Sequence, residues 1–148
     1  MAIRFAKKLT TFLKKLFSIF LIFNLTCVST AQAAGVFVDS FSVNSQDTEA
    51  RGLTFNNDGT KMFVAGYTND DVYEYTLSTG FDVSTASFVV AFSIDTDSED
   101  DVRDVKFNSN GTKMFVLGRD GDKVYEHTLT TGFNISTASF VVSFDISS

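Results

Sequence analysis

The chain has 148 residues, with 12 basic and 18 acidic side chains, one cysteine, one histidine and neither tryptophan nor proline. Five of the basic residues precede position 34, so the remainder sets 7 basic against 18 acidic residues, a net charge of −11. That surplus repels polyanions and argues against nucleic acid or an anionic membrane surface as a partner.

Residues 1–33 have the order of a secretory signal peptide. Arg4, Lys7, Lys8, Lys14 and Lys15 come first, the apolar run LFSIFLIF follows at 16–23, and Ala31-Gln32-Ala33 presents small residues for cleavage after Ala33. The apolar run is shorter than the roughly 20 residues that span a bilayer, so no membrane span is expected after cleavage. Cys27 lies in this leader behind Thr26, which does not suit a lipoprotein cleavage site. Residues 34–148 are therefore expected as one secreted or periplasmic domain without disulfide or thiolate chemistry. Twelve of the 17 phenylalanines remain there to build a core.

The first apolar segment of this domain, FVDSFSV at 37–43, predicts an extra N-terminal strand. Next come four short strand candidates with turn residues between them. These are strand a from Gly52 to Asn56, strand b from Lys61 to Gly66, strand c from Val72 to Leu77 and strand d from Ser87 to Ile94. Asn57-Asp58-Gly59 supplies residues that accept positive φ, as a tight a–b hairpin needs. Strand b, KMFVAG, is apolar on both faces, which predicts burial on both. Strand d is expected to align Phe88, Val90, Phe92 and Ile94 on one face.

The whole unit then repeats. Residues 53–94 and 105–146 match at 27 of 42 positions with a constant offset of 52 and no gap. FNNDGTKMFVAG returns as FNSNGTKMFVLG, and VYEYTLSTGFDVSTASFVVAFSI returns as VYEHTLTTGFNISTASFVVSFDI. FVDSFSV at 37–43 is a third, partial copy of the unit's end, FVVAFSI at 88–94. A period of this length is that of a propeller blade. The expected fold is all-β: two tandem four-stranded antiparallel propeller blades at about 51–94 and 103–146, plus the extra strand at 37–43.

The succession of a short strand, Asn-Asp-Gly or Asn-Gly, Thr-Lys-Met-Phe-Val, a polar turn and Val-Tyr-Glu-Tyr resembles the secreted bacterial propeller repeats of the YVTN and lactonase-like superfamily. That resemblance covers essentially the whole chain after residue 33. It implies a propeller fold and transfers no active site, because the superfamily mixes enzymes, surface-layer proteins and binding scaffolds.

Candidate chemistry is sparse. His127 replaces Tyr75 on strand c of the second unit, so a ring in a tyrosine niche is the simpler reading than a general base. No Gly-x-Ser-x-Gly is present, and the glycines at 59, 66, 111 and 118 fall at strand ends. Acidic residues concentrate in the d-to-a connections (Asp47 and Glu49, then Asp95, Asp97, Glu99, Asp100 and Asp101) and in the b-to-c turns (Asp70, Asp71, Asp120 and Asp122). In a propeller these two kinds of loop open on one face. Asp95, Asp97, Glu99, Asp100 and Asp101 offer hard oxygen ligands suited to Ca2+, although the Gly and terminal Glu of an EF-hand are missing. The bland alternative is a solvated acidic loop. No other cofactor is expected. Arg51 and Arg103, at equivalent positions entering strand a, are expected to pair with neighbouring carboxylates within their own units.

The sequence thus reads as a non-catalytic extracytoplasmic binding or scaffold module for a protein or polymer ligand. The alternative is a fragment or subunit of a lactonase-like propeller enzyme. Two blades leave outer sheet faces uncovered, with Met62, Phe63, Met114 and Phe115 among the residues exposed, and so predict a homo-oligomer or part of a longer propeller.

Overall fold

Eight strands account for nearly all the regular structure of residues 35–94, 101–119 and 122–147, the part of the chain described by the computed structural model. Strands β1 (Ala50–Phe55), β2 (Lys61–Gly66), β3 (Asp71–Leu77) and β4 (Ala86–Ser93) form one antiparallel sheet in that order. Strands β5 (Val102–Phe107), β6 (Lys113–Gly118), β7 (Lys123–Leu129) and β8 (Ala138–Asp145) form a second sheet with the same order. The strand bounds lie within two residues of those read from the first unit.

Local chemistry explains the turns. Gly59 and Gly111 close the β1–β2 and β5–β6 hairpins at φ of 72° and 71°, a region L-residues avoid. Beside Gly59, the Asp58 carboxylate accepts from the Thr60 amide at 3.0 Å and the Thr60 hydroxyl at 2.6 Å. The second hairpin repeats this with Asn110 and Thr112. Each long connection to the outer strand folds back on its hairpin: the Phe81 amide donates to the Gly59 carbonyl and the Phe133 amide to the Gly111 carbonyl, both at 3.0 Å. A short 3-10 turn follows, capped by Asp82 in one unit and Asn134 in the other.

Two expectations are corrected here. Residues 37–43 form no strand. They match the end of an outer strand, but β4 and β8 already fill the outer-strand position beside β3 and β7 in both sheets. Nor do Phe88, Val90 and Phe92 share a face. Tyr75 pairs with Phe88 while Glu74 pairs with Val90, so Val89 is an extra residue in a bulge. Phe88 consequently joins the tyrosine face of the sheet, with its ring 5.8 Å from Tyr75, and Val90 and Phe92 turn to the other face.

The main core lies between the two sheets. Phe63, Ala65 and Val72 of the first sheet join Val105, Met114, Val116, Tyr125 and Ile135 of the second in one buried cluster. A second cluster, built on Met62, Val64, Tyr73 and Tyr75, lies on the far face of the first sheet, and Phe41 and Val43 pack onto it. Strand β2 is therefore buried on both faces, as its composition predicts. Strand β6 is buried on one, with Phe115 partly covered and Leu117 exposed. The expected exposure of Met62, Phe63 and Met114 is accordingly corrected: the packing of the sheets and the segment at 41–43 cover them.

Candidate functional site

Acidic and basic residues gather where the connection into β1 meets the β2–β3 turn. Asp47 is buried; one carboxylate oxygen accepts from the Glu49 amide at 2.7 Å and the other from the Asn69 amide at 3.1 Å. The two kinds of loop thus lie together, as the blade geometry implied. Arg51 pairs with Glu49 at 2.7 Å and sets its guanidinium 4.9 Å from the Tyr67 ring centroid, in cation–π range. Arg103 of the second sheet reaches the same ring at 5.7 Å.

Among the five residues expected to ligate calcium, Asp95, Asp97, Glu99 and Asp100 lie outside the described residues. Asp101 is buried, and its carboxylate faces Arg103 Nε at 2.6 Å and Arg119 Nη1 at 3.2 Å. Two guanidinium groups already meet that charge, which weakens what it can offer a cation. Among the described residues no group of three or more His, Cys, Asp or Glu side chains is arranged to hold a metal ion.

His127 is buried in the niche that Tyr75 fills in the first sheet. Its ring stands 5.4 Å from Phe92 and 5.8 Å from Phe140, both edge-to-face. Tyr75 meets Phe41 at 5.5 Å and Phe88 at 5.8 Å in the same manner.

Sequence reasoning missed the feature that joins the sheets. Glu74 on β3 is 2 % exposed and receives Lys61 Nζ at 2.5 Å. Its second oxygen accepts the Ile135 amide from the other sheet at 3.0 Å. Lys61 Nζ also donates to the Phe133 carbonyl at 2.6 Å. Lys-Met-Phe-Val and Val-Tyr-Glu recur in both units, but nothing in one copy tells that its Lys and Glu reach into the next.

The two sheets are propeller-type blades. They stack in the same sense, the Phe63 face of the first against the Met114 face of the second, and each is a four-stranded meander. Two solved structures share this arrangement. A functionally unknown protein from Desulfotomaculum acetoxidans aligns with a TM-score of 0.56 and 21% identity over 76% of this chain and 32% of that one. A 6-phosphogluconolactonase-like protein from Bacteroides uniformis aligns with a TM-score of 0.50 and 16% identity over 65% of this chain and 26% of that one. The chain thus spans about a quarter to a third of the length of these proteins, and the likeness establishes the fold alone. No family model and no curated protein matches the sequence.

Apolar side chains remain exposed on the outer strands. Phe88 and Val89 on β4, and Val141, Val142 and Phe144 on β8, face solvent, with Phe144 70 % exposed. No helix among the described residues is long and apolar enough to cross a membrane.

Proposed function

We propose that the exported chain is a non-catalytic binding or scaffold module that holds a protein or polymer partner outside the cytoplasm. The observation that carries this reading is the use made of the buried carboxylates. Asp47, Glu74 and Asp101 are the buried acids among the described residues, and each is held by amide, ammonium or guanidinium donors that tie loops or blades together. Groups committed in this way stabilise the fold and are poorly placed to exchange protons with a substrate. Exposed apolar residues on β4 and β8 supply contact surface for a partner.

A second reading rests on the 6-phosphogluconolactonase-like neighbour. A lactonase would need acid–base or metal groups contributed by several blades, and the chain would then be one portion of the enzyme. Hydrolysis of sugar lactones by the purified exported protein separates the two. The binding reading expects no turnover above buffer, and N-terminal sequencing of that protein should begin at Ala34. Saturable turnover would replace it with the enzyme reading.

A further inference from the structure

The contact between the blades is a template, and among the described residues each of its halves recurs once with no blade against it. The cavity of about 360 Å3 on the far face of the first blade is lined in part by Leu53, Met62, Val64 and Val83. At an offset of 52 these correspond to Val105, Met114, Val116 and Ile135, all fully buried in the core that Phe63 and Ala65 enter from the first blade. The cavity is therefore the socket for a strand like β2, without that strand in it. The corresponding plug stands on the far face of the second blade, where Phe115 and Leu117 occupy the positions of Phe63 and Ala65 and keep some exposure.

The polar latch is repeated with its outer half open. Lys113 and Glu126 pair at 2.5 Å, as Lys61 and Glu74 do. Glu126 nevertheless keeps 24 % of its side chain exposed where Glu74 keeps 2 %. The groups that would complete this latch are the Phe81 carbonyl and the Val83 amide, equivalents of the Phe133 carbonyl and the Ile135 amide. Both belong to residues beside the socket.

We propose that the far face of the second blade docks into the socket on the first blade of another copy of this chain. Lys113 then donates to the Phe81 carbonyl, and Glu126 accepts from the Val83 amide. The inference rests on the binding-module reading and names the partner. Such a contact is heterologous, so it propagates until the assembly closes on itself.

Two features oppose it and set its strength. Phe41 and Val43 cover part of the socket in the way Phe92 and Ile94 cover the second blade, so Phe144 and Ile146 of an incoming copy must displace them. Asp104 stands where Gly52 stands, and a Cβ at Gly52 would lie only 2.7 Å from the Asp104 Cα. The same approach between copies brings the Asp104 Cβ against Gly52, so the docking strands must separate slightly.

The test uses two half-blocked variants of the exported chain, followed by sedimentation velocity. Phe115→Arg removes the plug and Leu53→Arg the socket; circular dichroism verifies that both fold. Wild type should associate as concentration rises, each variant alone should be monomeric, and their mixture should form a 1:1 heterodimer. Glu126→Lys should weaken wild-type association with the apolar face intact, and Asp104→Gly should shift it to lower concentration. A monomeric wild type, a mixture that fails to pair, or a single variant that associates like wild type overturns the proposal. Lactone turnover is read separately, so failure here leaves the binding-module reading standing.

Discussion

Glu74 in the first blade accepts the backbone amide of Ile135 in the second at 3.0 Å, across 61 residues of sequence, and Lys61 neutralises it from its own blade. The pair therefore acts both within a sheet and between sheets. Its repeat, Glu126 with Lys113, has the same ion pair, but the Glu126 side chain stays 24 % exposed where that of Glu74 is 2 % exposed.

The first prediction compares these two glutamates. Glu74→Ala leaves the Lys61 ammonium, one quarter exposed, and the Ile135 amide without their acceptor. The loss should be roughly 3 kcal/mol of unfolding free energy, as for breaking a largely buried pair. Glu126→Ala breaks a pair that water already screens and should cost about 1 kcal/mol or less. Urea denaturation of both variants checks the contrast; equal losses would show that the inter-blade bond adds little.

Close approach of the inner strands gives the second prediction. Gly52 on β1 lies against β5 so tightly that an added Cβ would meet the Asp104 Cα at 2.7 Å and the Arg103 carbonyl oxygen at 3.0 Å. Both obstacles are backbone, which cannot rotate aside. Gly52→Ala should destabilise the chain by roughly 1–3 kcal/mol through overpacking, despite the better strand propensity of alanine. A thermal midpoint equal to that of wild type would show that the blades separate more easily than the packing indicates.

The third concerns high pH. Burial pushes the Tyr75 phenol up to about 12, aided by the neighbouring Tyr73 and Asp47 charges. Burial likewise pushes Tyr73 to about 12, against a hydrogen bond from Asn69 that acts in the opposite sense. An unfolded tyrosine ionises near 10. The folded form thus holds its phenolic protons where the unfolded form releases them, so the stability contributed is complete below about pH 10 and is lost as pH rises through about 12. Urea midpoints followed across that interval should fall, and Tyr75→Phe should reduce the slope.

The strands, hairpins and two-blade architecture were legible in the sequence because they depend on local chemistry that the repeat states twice. Asn-Asp-Gly against Ser-Asn-Gly marks the hairpin whichever side chain flanks the glycine. The Val89 bulge was not legible: strand d alternates cleanly, and only the ladder with β3 reveals that Tyr75 meets Phe88 while Glu74 meets Val90. Of the candidate site, the sequence shows the carboxylates and not the partners that meet them. Asp101 looked like one of five carboxylates in an acidic loop, and sequence could not show that Arg119, 18 residues away, comes to 3.2 Å of it. A usable signal did exist for the cap: Phe41 and Val43 align with Phe92 and Ile94, and that equivalence locates their packing even though no strand forms.

The last prediction separates calcium binding from the structural duty of Asp101. Asp95, Asp97, Glu99 and Asp100 offer carboxylate oxygens at a spacing suited to Ca2+. Asp101 instead answers Arg103 and Arg119. If the loop binds calcium only in the folded chain, the melting temperature rises with calcium concentration, and Asp95→Asn with Asp97→Asn abolishes that rise while leaving the calcium-free value nearly unchanged. Asp101→Asn should behave in the opposite way. It removes the charge between two guanidinium groups, so the melting temperature should fall in chelator and the calcium response, if present, should persist. Differential scanning calorimetry in chelator, calcium and magnesium reads all of these. A wild-type melting temperature indifferent to millimolar calcium, or raised equally by magnesium, would leave the segment a solvated acidic loop, and the fall for Asp101→Asn would remain as the measure of its ion pairs.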